Sequence, residues 1–167
     1  CDAYFTSRAA FDLYGDTTVE TAFLENFLLA ANVPGIPAAM IPMCYPADHN
    51  SGRFIPQWGM WLLLQLEEYL ERSGNRAFID VFLPKVDALL DYFEPFHNRD
   101  RPLEKLPGWN FIEWSAANEF VRDVNYPTNM LWAAALDAVA RMYARPELSA
   151  RAAGVRAAVL RQAWDGE

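Results

Sequence analysis

Prolines cut this chain into helix-length runs, and that punctuation constrains its fold more than any other feature. Pro56, Pro127 and Pro146 each stand at the head of a long run of apolar residues at helical spacing, while Pro34, Pro84 and Pro95 end or interrupt others. Proline suits the first turn of a helix, where its missing N–H is not needed, and it breaks an interior. The runs marked out in this way predict six helices.

The first spans Asp2 to Tyr14, with Phe5, Ala9 and Leu13 on one stripe and Gly15 as its stop. The second runs from Thr17 to about Asn32 behind an Asp16 cap. Its broad apolar set (Val19, Phe23, Phe27, Leu28, Ala31) predicts a deep position. The third, Pro56 to Arg72, places Trp58, Trp61, Leu62, Gln65 and Tyr69 on one flank and Glu67, Glu68, Glu71 and Arg72 on the wet side. Asn75 caps a fourth that reaches roughly Phe93, with Pro84 kinking it or dividing it in two. The fifth, Thr128 to Ala144, is apolar nearly all round from Met130 to Met142, the pattern of a helix buried on most sides. The sixth, Glu147 to Trp164, turns Leu148, Ala152, Val155, Val159, Leu160 and Ala163 inward and Arg151, Arg156 and Arg161 to water. The reading is an all-α fold of three antiparallel helical hairpins. At 167 residues the chain makes one domain, 1–167.

Two connections are more elaborate than a helical bundle needs. Gly35–Pro56 is long and proline-rich, yet Met40, Ile41, Met43, Tyr45, Phe54 and Ile55 make it too apolar for disorder. An ordered loop over a cleft is expected, with Tyr45 and His49 as candidate ligand contacts. His49 sits in a turn-rich tip, where a solvated turn residue is the plainer reading. The second connection contains Gly108–Ser115, Gly-Trp-Asn-Phe-Ile-Glu-Trp-Ser, read as part of a short β-hairpin or strand around 103–115. Alternation along a strand puts Trp109, Phe111 and Glu113 on one face and Asn110, Ile112 and Trp114 on the other. A carboxylate beside flat aromatic rings suits a sugar, offering acceptors for hydroxyls and a plate for the C–H face. The plainer alternative is a hairpin whose aromatics cap the core. Asn118, in the following loop or short helix, is a further candidate contact. Both connections follow even-numbered helices, so hairpin geometry places them at one end of the bundle, where Trp58 and the 108–115 segment can meet.

Composition narrows the partners. With 53% hydrophobic and 22% charged residues the chain is globular, and a net charge of −8 leaves no basic stripe for nucleic acid. Cys1 and Cys44 make neither a metal-ligand spacing nor a disulfide framework. No glycine-rich phosphate loop, nucleophile elbow, zinc spacing or dinucleotide fingerprint occurs, so no cofactor and no metal is expected. No signal peptide is visible and no apolar run reaches membrane length. No membrane partner is expected, and the compartment stays open with the cytoplasm favoured. The chain opens at Cys1-Asp2 without a methionine and ends in Trp164-Asp165-Gly166-Glu167, which reads as a piece of a longer protein.

Four segments resemble one known family. They are Asp2-Ala3-Tyr4 before a helix; Met43-Cys44-Tyr45-Pro46 followed by Ile55-Pro56-Gln57-Trp58; Gly108–Ser115; and Asn129–Ala140 followed by Ala163-Trp164-Asp165. Together they are similar to the α-L-rhamnosidases of glycoside hydrolase family 78, which have a six-hairpin glycosidase domain. The resemblance implies that the chain is about half of an (α/α)6 toroid, its N-terminal part. It implies that Asp2 hydrogen-bonds sugar hydroxyls, and that Trp58 and Trp114 line the sugar pocket. Trp109 lies in the same segment, and Glu113 stands where the family usually has an aspartate. The general acid and base of inverting hydrolysis would match positions outside this chain, leaving it sugar-binding residues and no catalytic residue. Other six-hairpin glycosidases and glycoside phosphorylases share the rhythm. A non-catalytic helical scaffold that binds a protein is a further alternative, although the hairpins show no self-similar repeat. Half a ring exposes an inner apolar wall, so self-association is expected.

Overall fold

The structure, a computed structural model, describes residues 2–29, 33–45, 51–114, 123–164 and 166. Among them the chain is mostly helical and has no sheet. Seven helices follow one another: α1 (Asp2–Tyr14), α2 (Thr18–Leu29), α3 (Pro56–Ser73), α4 (Arg76–Val81), α5 (Leu83–Phe93), α6 (Tyr126–Tyr143) and α7 (Pro146–Ala163). A single 3-10 turn, Glu94–Phe96, continues α5.

Local chemistry sets most of these ends. Asp16 Oδ1 accepts both the N–H and the hydroxyl of Thr18 at the start of α2, and those bonds hold its carboxyl below the usual carboxylate range. Asn75 Oδ1 accepts Phe78 N–H at α4, and Asn125 Oδ1 accepts Thr128 N–H at α6, two residues ahead of the expected start. Gly74 closes α3 in the left-handed conformation, φ 64°. Pro84 divides the expected fourth helix rather than kinking it. Val86 N–H reaches back to Phe82, so α5 restarts where α4 stops, and six helices become seven.

α3 and α6 form the centre. Met60, Leu63 and Leu66 of α3 are sealed from solvent along with Trp132, Ala135, Leu136 and Val139 of α6. Each large side chain among them stabilises the fold by about 1.5–3 kcal/mol. Phe93 at the end of α5 packs its ring 4.8 Å from that of Trp132. α7 runs back along α6, joined by Ala144 and Arg145, and Leu148, Ala152, Val155 and Val159 pack inward as the arginine spacing predicts. α1 and α2 lie on the opposite flank, against α3.

Several expected faces are wrong. On α1 the buried residue is Tyr4, while Phe5 and Leu13 are exposed, because the Tyr4 hydroxyl is drawn to Glu68 on α3. α2 is not deep: Val19 is 78% exposed, and its inward face is Glu20, Leu24 and Phe27. The reason is a charge lock. Glu20, only 4% exposed, holds Arg72 through Nη2–Oε1 at 2.6 Å and Nε–Oε2 at 3.3 Å, and it also accepts Gln65 Nε2 at 3.2 Å. Arg72 also reaches Glu68 at 2.8 Å. Burial opposes the charge on Arg72, but the bonds from Glu20 and Glu68 outweigh it and leave the guanidinium above its ordinary pKa. The supposed wet side of α3 is therefore largely paired, and Glu67 is buried against Arg141 of α6, with contacts at 2.5 and 2.7 Å. Met130, Leu160 and Ala163, expected inside, face solvent.

The strand expected around 103–115 is absent among the described residues. Only isolated bridges occur, His97 with Leu103 and Glu104 with Val124. Side-chain amides take the place of a neighbouring strand: Asn129, fully buried on α6, accepts Leu103 N–H at 2.6 Å and donates to Leu103 C=O at 2.9 Å.

Candidate functional site

Beyond Leu103 the chain is held from its start on α3. Gln57 occupies the first turn behind Pro56 and is 1% exposed. Its Nε2 donates to Asn110 Oδ1 at 3.1 Å and to Thr128 Oγ1 at 2.8 Å, and its Oε1 accepts Phe111 N–H at 3.3 Å. Asn110 Nδ2 donates to Leu106 C=O at 2.7 Å, and Trp109 N–H donates to Phe54 C=O at 3.0 Å. Gly108, at φ 84°, passes so close to Phe54 that a Cβ there would stand 2.9 Å from its ring and carbonyl. Segment 108–114 is thus a clamped loop, and its side chains do not alternate.

The consequence for the aromatics is direct. Phe111 meets Trp109 at 5.4 Å, Trp114 at 4.9 Å and Trp58 at 5.6 Å, and Trp109 meets Trp114 at 5.8 Å. Alternation had put Trp114 on the face opposite Trp109 and Phe111; the structure gathers all three into one edge-to-face cluster. Trp58 is the link to α3, and its Nε1 donates to Met43 C=O at 3.1 Å, which fixes the indole against the long loop. Trp114 is 82% exposed, and Glu113 beside it is also exposed.

On another side of Trp58 lies a cleft of about 270 Å³, walled by Asp2, Tyr45, Trp58 and Trp61, with Phe27 and Gln65 also lining it. Tyr45 packs on Phe27 at 6.0 Å, and Trp61 on Tyr4 at 4.9 Å. Gln65 is 3% exposed and commits its amide nitrogen to Glu20 Oε1 and Ser7 Oγ, each at 3.2 Å, so Oε1 is what it can offer a ligand. The cleft lining therefore combines Asp2 and the Gln65 amide with aromatic walls. That set suits a neutral ring bearing hydroxyl donors.

Asp2, Tyr45 and Trp58 thus meet at this cleft; Trp109 and Trp114 join through Phe111 without lining it, and Glu113, exposed beside Trp114 in the chain, is not among its described lining residues. His49 and Asn118 lie outside the described residues. Asp2 is the one carboxylate among the described lining residues. Sequence reasoning missed Gln57 and Gln65 as the residues that hold the site. Their signal was a polar amide on the apolar flank of α3 at each position. Among the described residues no group of histidine, cysteine and carboxylate side chains gathers to hold a metal, and no helix is long and apolar enough to cross a membrane. No protein-family model, curated protein or solved structure matches this chain.

Proposed function

We propose that this chain supplies the sugar-binding part of a glycoside hydrolase catalytic domain of the α-L-rhamnosidase kind, about half of a six-hairpin toroid. The observation that carries the reading is the cleft that brings a carboxylate, Asp2, and a fixed indole, Trp58, to the same opening beside the aromatic cluster. A sugar ring laid on an indole offers its C–H face to the plate and its hydroxyls to acceptors at the edge. Asp2 and Gln65 are such acceptors. Inverting hydrolysis needs two carboxyl groups about 6.5–9.5 Å apart, one to protonate the leaving oxygen and one to activate water. Asp2 is the one carboxylate among the described lining residues and cannot fill both roles, so this reading assigns the catalytic pair to other parts of the parent protein.

Calorimetric titration of the 167-residue chain with methyl α-L-rhamnoside tests this. Binding that falls about tenfold in both Asp2→Asn and Trp58→Ala, with no release of free sugar, is the expected outcome; tenfold corresponds to about 1.4 kcal/mol. Binding unchanged in both variants, or no binding at all, would overturn it. Turnover that disappears in Glu113→Gln would overturn the division between binding and catalysis.

A further inference from the structure

A second cleft lies where residues 52–54 meet residues 108 and 109, with a volume of about 560 Å³. Its walls are Gly52, Arg53, Phe54, Gly108 and Trp109, and it shares none of these with the Asp2–Trp58 cleft. The two walls are fixed to each other. Trp109 N–H donates to Phe54 C=O at 3.0 Å, and one residue earlier Met43 N–H donates to Arg53 C=O at 3.1 Å. Gly108 makes this close approach possible, since a Cβ there would stand 2.9 Å from Phe54; Gly52 allows a separate one, its Cβ position lying 3.1 Å from Pro34 O. The backbone that carries Arg53 is therefore held from both sides, while its side chain is exposed.

The chemistry is the reverse of the first cleft. Arg53 is the only charged residue among the described lining residues, and no described carboxylate pairs with it. Arg53 belongs to a chain with 22 acidic and 14 basic side chains, net −8. General attraction of anions is absent in such a protein, so an anion must be taken by a specific donor fork. A guanidinium offers that to a carboxylate. Beside it, Trp109 is 39% exposed and presents an indole whose backbone is pinned. The volume lies within the range of small-molecule sites.

We propose that this cleft is a second binding site, for a flat-faced ring that carries a carboxylate, with the ring on Trp109 and the carboxylate on the Arg53 guanidinium. Two sources share that chemistry, a hexuronic acid and an aromatic acid, and both need the same pair of side chains. The site is independent of the neutral-sugar reading of the first cleft.

Calorimetry on the 167-residue chain, with tryptophan fluorescence as a second readout, tests the assignment. The probes are glucuronate and benzoate, with methyl glucoside as a ring without charge and acetate as a carboxylate without a ring. At least one of the two acids should bind more tightly than either control, and the tighter acid identifies the source. Arg53→Gln should weaken that binding at least tenfold, Trp109→Ala should also weaken it, and added salt should lower it in the wild type. Arg53 is exposed and Met43 holds it through its backbone carbonyl, so Arg53→Gln is expected to keep the wild-type circular dichroism spectrum. Failure of both acids to bind, equal binding by Arg53→Gln, or acetate binding as tightly as the better acid would each overturn the proposal. Titration with methyl α-L-rhamnoside separates the two sites: its binding should be untouched by Arg53→Gln. If it fails while an acid binds through Arg53, the reading of the first cleft falls and this one stands.

Discussion

Gln57 spends both amide donors and an acceptor position of its carbonyl on three partners far along the chain, Asn110, Thr128 and Phe111. Leucine at this position would fill similar space and leave the Phe111 N–H without its acceptor. An unsatisfied buried group costs about 1–3 kcal/mol. Gln57→Leu should therefore lower stability by about that amount in urea unfolding. It should also shift the tryptophan emission of the native protein to longer wavelength, because Trp109 and Trp114 lose the loop that gathers them. A loss of stability with native emission unchanged would mean the aromatic cluster holds itself together without the clamp. The same logic governs Asn129, whose amide takes over both backbone groups of Leu103. Neither role is visible in a sequence, because an interior amide in a helical run looks like any other polar residue until its partner is known.

Between elements, the seam of α2 and α3 rests on charge. Glu20 and Arg72 have side chains 3% and 12% exposed, and Tyr4, Ser7, Gln65 and Glu68 complete the network that ties α1 to the same helix. Removing one member of a buried pair costs about 3–5 kcal/mol, since the other charge stays behind without compensation. Arg72→Met alone should fall in that range. Adding Glu20→Gln should recover a substantial part of the loss, by more than 1 kcal/mol in a double-mutant cycle. Additive losses would show that the two groups do not act as a pair. Because α1 carries Asp2, Arg72→Met should also weaken the proposed sugar binding at the first cleft if α1 is held there by Tyr4 and Glu68.

At the scale of the whole molecule two properties follow from burial. Tyr4, Tyr92 and Tyr143 are each pushed from 10.0 up to about 12, mainly by burial, with a bond to Glu68 adding to the effect at Tyr4. The folded protein favours the neutral phenol, so this stability is fully present below pH 10 and is lost as pH rises towards 12. The phenolate absorbance of these three tyrosines, read as the part lost in Tyr→Phe variants of each, should appear together with unfolding in that window, and titration of these three near 10 in a protein still folded would contradict it. The second property is exposed apolar surface at the two flanks: Phe5, Leu13 and Val19 on α1 and α2, and Met130, Leu160 and Trp164 along or just beyond α6 and α7. Patches of this kind favour association. Sedimentation velocity should show concentration-dependent self-association, reduced by Leu13→Lys or Trp164→Lys; a monomer at every concentration would exclude it.

What the sequence determined by itself was the set of helices and most of their ends. Pro56, Asn75, Asp16 and Gly74 act within a few residues of themselves, through fixed φ, a side-chain cap or a left-handed turn, so their effect is legible locally. Most of the buried set of α6 was legible too, Met130 apart, because its apolar run packs without needing a polar partner. Which face of α1 and α2 turns inward, whether α3 has a wet side, and the path of 106–114 were decided only in the tertiary structure. Those outcomes rest on bonds between residues far apart in the chain, 52 positions for Glu20 with Arg72, 54 for Gln57 with Phe111 and 64 for Tyr4 with Glu68. Periodicity ranks residues by hydrophobicity, and it reads a buried ion pair or an interior amide as surface; only packing reveals that these polar groups find their partners inside.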